Sequence, residues 1–65
     1  MEHTNHLAEL RHLVRQAEEQ VATQIQMIDR MERAGLSTAD AQDVLQEMRR
    51  TVSDLHGRLK ILTAV

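Results

Sequence analysis

Four histidines, His3, His6, His12 and His56, are the side chains of this sequence best suited to bind a metal or carry a proton. On a helix, His3 and His6 would share one face, with Glu2 and Glu9 nearby. A loose Zn²⁺ or Ni²⁺ site of that kind needs a third or fourth ligand and groups behind the ligands to orient them. The sequence offers no such set. Glu9 and His12 form a Glu-x-x-His pair, the spacing by which di-iron carboxylate bundles hold metal. Those bundles use two inward-facing pairs, and this chain has one.

Nucleophilic chemistry is no better supplied. Ser37, Thr38 and Ser53 have no histidine placed to take their protons, and no glycine-rich phosphate loop occurs. Met1, Met27, Met31 and Met48 read as gap-filling apolar residues. The expectation is therefore a non-enzymatic chain with no catalytic, cofactor-binding or metal residues. Arginines fall in pairs: Arg11 with Arg15, Arg30 with Arg33, Arg49 with Arg50. A dimer could align Arg49 and Arg50 into a basic stripe for RNA phosphates. Acidic residues interleave, however, and Asp29 with Arg33 and Asp54 with Arg58 have the i, i+4 spacing of helical ion pairs. No aromatic residue is present on which a base would stack.

The elements that position these groups follow from periodicity. Leu7, Leu10, Val14, Ala17, Val21, Gln24, Ile28 and Met31 alternate in steps of three and four, and so do Thr38, Ala41, Leu45, Met48, Val52, Leu55, Leu59 and Leu62. Both are a/d seams of heptad type. With no proline and only Gly35 and Gly57 to interrupt, they predict helix 1 over about 5–34 and helix 2 over about 38–62. His12 then lies at f and Glu9 at c, on the outer face.

The segment "AGLSTADA", Ala34 to Ala41, reads as the turn between them. Gly35 can take the left-handed conformation that ends a helix, with Leu36 folding back on Met31 in a Schellman motif. Ser37 is the expected cap of helix 2, with Asp40 as the acidic half of a capping box. So short a link forces antiparallel neighbours. The two seams then layer with Ile28 opposite Ala41, Gln24 opposite Leu45, Val14 opposite Leu55 and Leu7 opposite Leu62.

Gln24 is the polar member of this core. Two accounts of it compete: its amide meets a symmetry mate or Gln20 across a two-fold axis, or it lies at the seam's edge and Ile25 turns inward in its place.

Two helices bury one stripe each, yet Leu13, Ile25, Met27, Val44 and Ile61 lie outside it. An apolar face this broad belongs to a bundle helix, and a two-fold pair of hairpins would cover it. The fold expected is thus an all-α antiparallel helical hairpin, one domain over residues 1–65, that pairs into a homodimeric four-helix bundle. Lacking cysteine, a signal-like segment and any apolar run near ~20 residues, the chain is expected to be cytoplasmic, with no membrane partner.

The stretch from Ile28 to Met48, "IDRMERAGLSTADAQDVLQEM", resembles a group of short bacterial helical-hairpin proteins of unknown function. They share the pattern carried here by Ile28, Met31, Glu32, Gly35, Thr38, Ala41, Leu45 and Met48. The resemblance implies a helical hairpin and a bacterial origin, and it brings no active residues. In architecture alone the chain is also similar to the Rop-like RNA-modulating hairpin dimers. The function expected from the sequence is a small homo-oligomeric module that binds or regulates another protein. A Rop-like dimeric RNA-binding modulator is the alternative.

Overall fold

The computed structural model describes residues 2–64, with side chains described for 6–64. His3, one of the two N-terminal histidines weighed as metal ligands, and Glu2 therefore have side chains outside the described residues, as does Met1. Two helices make up the fold, α1 (Glu2–Arg33) and α2 (Ala39–Thr63), packed against each other along their length. The Cα trace measures 51 × 14 × 13 Å. Its long dimension is about that of α1 alone, since 32 residues rise roughly 48 Å.

The heptad seam is the packing surface. Val14, Gln24, Ile28, Ala41 and Leu45 are buried, and Leu7, Leu10, Ala17, Val21, Met31, Thr38, Met48, Val52, Leu55 and Leu59 are half-buried. Every other described side chain is exposed. The one seam position that departs from expectation is Leu62, which remains 45% exposed. It sits in the last turn of α2.

Burial is concentrated toward the turn, with Val14 buried apart from it. Ile28, Ala41 and Leu45 form the core cluster, with Val21 and Met31 packed against it. Ala41, small, lets α1 approach the α2 backbone there. Among the described residues no large side chain falls below 2% exposure. A two-helix layer covers its apolar stripe from one side only, so complete enclosure is out of its reach.

The turn closes as a Schellman motif. Leu36 N–H donates to the Met31 carbonyl at 2.9 Å and Gly35 N–H to the Glu32 carbonyl at 3.0 Å. Gly35 has φ +74°, a conformation in which any side chain would strain against the backbone. The apolar closure expected of Leu36 on Met31 contributes little, because Leu36 is 60% exposed.

The start of α2 corrects the sequence reading. Its cap residue is Thr38, not Ser37, and no side-chain capping hydrogen bond forms. With ψ 8°, Thr38 lies outside the extended region from which a cap hydroxyl reaches the first amides. The backbone closes the turn alone, with Gln42 N–H donating to the Thr38 carbonyl at 2.8 Å. Thr38 thus serves the seam and the helix boundary at once.

Candidate interaction faces

With the seam fixed, each remaining residue has a defined side. In an antiparallel pair the e positions of both helices flank the seam on one face and the g positions on the other. The e face carries Arg11, Glu18, Ile25 and Glu32 from α1, and Gln42, Arg49 and His56 from α2. The g face carries His6, Leu13, Gln20 and Met27 from α1, and Val44, Thr51 and Arg58 from α2.

The two faces differ in chemistry. On the e face Glu18 reaches across to α2, its Oε2 lying 3.4 Å from His56 Nε2. Beside that pair runs an open groove of about 310 Å³ lined by Glu18, Val21, Ala22, Ile25, Arg49 and Val52. Ile25 is its one large exposed apolar side chain.

The g face carries three large exposed apolar side chains and a single formal charge. Leu13 is 49% exposed, Met27 43% and Val44 46%. At the open end of the hairpin a second groove, about 420 Å³, is lined by His6, Glu9, Leu10, Leu13, Arg58, Ile61 and Leu62. Arg58, the one formally charged residue among the g positions, is held by Asp54 at 3.1 Å on its own helix. Leu13, Ile25, Met27 and Val44 do not share one flank: three lie on the g face and Ile25 opposite.

Gln24 belongs to neither face. It is 7% exposed while Ile25 is 44% exposed, which overturns the account in which Ile25 replaces it in the seam. Its Nε2 donates to the Ala41 carbonyl at 2.9 Å. The hairpin itself therefore gives Gln24 a partner, one turn from the layer expected from heptad pairing. A carbonyl has two lone pairs, so Ala41 can accept this bond beside its helical one from Leu45. No buried side-chain polar atom among the described residues lacks a hydrogen-bond partner.

Among the described residues no three His, Asp or Glu side chains gather as a metal site requires. His6, Glu9 and His12 are exposed, His6 and Glu9 lining the open-end groove and His12 on the outer face of α1. Ser37 and Ser53 are likewise exposed, and Thr38 is half-buried in the seam. The i, i+4 ion pairs read from the sequence form, Arg33 with Asp29 at 3.0 Å and Arg58 with Asp54 at 3.1 Å. Arg50 joins Glu47 at 2.9 Å, a pair the sequence reading missed although its i, i+3 spacing was there to be seen. None of the described helices is long and apolar enough to cross a membrane. Compared with protein-family models, with curated proteins and with solved structures, the chain matches none.

Proposed function

We propose that this chain is a small, non-enzymatic, homo-oligomeric helical module that binds another protein, in the manner of a cytoplasmic adaptor or regulator. The observation that carries this reading is the burial pattern. All shielding is confined to one seam, while seven large apolar side chains (Leu13, Ile25, Met27, Leu36, Val44, Ile61 and Leu62) stay 43–72% exposed. Lone exposed apolar residues are ordinary, but several on one face of so small a body mark a contact surface. Self-pairing into a four-helix bundle uses the apolar face, and the charged face around Ile25 remains for a second protein. The RNA-binding alternative has less behind it, because Arg33, Arg50 and Arg58 already pair with carboxylates on their own helices.

Sedimentation equilibrium at micromolar concentration tests the reading. A mass of twice the 7.5 kDa chain, or a higher multiple, is expected. A monomer would remove the homo-oligomer and with it the reason for the broad apolar surface. A gel shift with structured RNA that weakens steeply with salt would favour the alternative.

A further inference from the structure

Resting on the homo-oligomeric reading, we infer which surface pairs and in what register: a second copy of this chain covers the g face, with α1 antiparallel to α1 of its partner about a two-fold axis at Gln20.

The choice of face comes from the unequal flanks. Desolvating the e face would bury Arg11, Glu18, Glu32 and Arg49, whereas the g face offers Leu13, Met27 and Val44 with the charge of Arg58 already paired to Asp54. Its size is also suitable. Two helices side by side span about 20 Å, and an overlap of about 40 Å gives a face near the ~800 Å² that each partner contributes to a stable dimer.

The register comes from self-complementarity. A two-fold interface must place each residue against one that returns the contact. Leu13 and Met27 lie one heptad to either side of Gln20. An antiparallel α1 pair centred on Gln20 therefore sets Leu13 against the partner's Met27 and Met27 against the partner's Leu13. Gln20 meets its own copy, and two facing amides can donate and accept in return. Thr51, small, is the g residue nearest in height to Gln20 on α2. On α2 the same axis brings Val44 within about one turn, ~6 Å, of the level of the partner's Arg58, whose alkyl stem can span that distance. The open-end groove beside Leu10, Leu13 and Leu62 receives the partner's Met27, an unbranched side chain suited to filling an irregular hollow.

The absence of cysteine makes the test clean. Chains carrying Leu13→Cys and Met27→Cys are mixed in a glutathione redox buffer and the disulfides counted after quenching. Mixed Leu13→Cys/Met27→Cys dimers should exceed either like-with-like dimer by about tenfold, because the close pair has a high effective concentration. In a like-with-like pair the sulfurs stand roughly 21 Å apart along the axis, fourteen residues at ~1.5 Å each. Gln20→Cys should link to itself, and Ile25→Cys should not. Circular dichroism melts of each reduced variant confirm that the helices persist. Statistical mixing of the Leu13→Cys and Met27→Cys chains, or preferred self-linking of Ile25→Cys, would overturn the inference. Sedimentation of the unsubstituted chain separates the two claims. A dimer without the expected cross-links refutes only the face and register, whereas a monomer refutes the homo-oligomer as well.

Discussion

Replacing Gln24 probes the core where its chemistry is least ordinary. The side chain is 7% exposed and its one described hydrogen bond runs from Nε2 to the Ala41 carbonyl at 2.9 Å. In Gln24→Leu that bond is lost, a net cost of about 1 kcal/mol. No donor is left stranded, because it leaves with the amide, and the Ala41 carbonyl keeps its helical bond. The apolar side chain returns about 1–2 kcal/mol of transfer free energy, so Gln24→Leu should be neutral or stabilised by up to ~1 kcal/mol. Gln24→Ala loses the bond and one methylene at ~0.8 kcal/mol, leaves a small cavity where the amide stood, and should fall by about 2 kcal/mol. Gln24→Glu adds a pH signature. Burial beside a carbonyl oxygen disfavours the carboxylate, so its folded carboxyl titrates above the ~4.3 of the unfolded chain. Below that value both states hold the proton, and the acid can donate to Ala41 as the amide does. As pH rises the unfolded chain ionises first, and the variant loses stability until its folded carboxyl ionises too. An upward shift of about two units costs ~2.7 kcal/mol near neutral pH, recovered in acid. Urea melts followed by circular dichroism at one fixed chain concentration would measure all three. If Gln24→Leu loses as much as Gln24→Ala, or if Gln24→Glu shows no pH dependence beyond that of the unsubstituted chain, the amide is not held as described.

Gly35→Val should cost at least ~1 kcal/mol in the same melts; beyond its chain neighbours no heavy atom lies within 4 Å of a Cβ built there, so the cost comes from the positive φ. Gly57→Ala, inside α2 with equally open surroundings, should gain up to about 1 kcal/mol in helix propensity. Ser37→Ala should stay within about 0.5 kcal/mol of the unsubstituted protein, since Ser37 is exposed and caps nothing; a loss near 1 kcal/mol would restore it as the cap.

Much of this architecture was legible in the residues. The three–four alternation identified each seam position, because burial on a two-helix body follows helical phase and little else. Gly35 announced the turn, since the left-handed position that ends α1 suits a residue without Cβ. The cap was misread for a reason of the same kind: Ser37 and Thr38 are both good capping residues, and the choice between them lies in backbone angles that composition does not encode. Leu62 reads like Leu59 in sequence and differs in lying in the last turn of α2. The Gln24 bond was hidden because its acceptor is a backbone carbonyl, present at every residue, and only the close approach at Ala41 exposes this one. The unlike flanks were implicit in the seam, with Leu13, Met27 and Val44 at g and Ile25 at e. Only once the seam was fixed did the letters become two faces of one body.

One hairpin leaves Leu13, Met27 and Val44 exposed on one flank, and in the homo-oligomer proposed above a second copy covers them. The melting temperature as a function of chain concentration tests this most directly, because association coupled to folding makes the midpoint rise with concentration. Over a roughly hundredfold range, RT ln 100 is ~2.7 kcal/mol per dimer, enough to raise the midpoint by about 10 °C in molecules of this size. A rise of that order is expected, reduced in Leu13→Lys, which places a charge on the apolar face. A midpoint independent of concentration over the same range would contradict the claim.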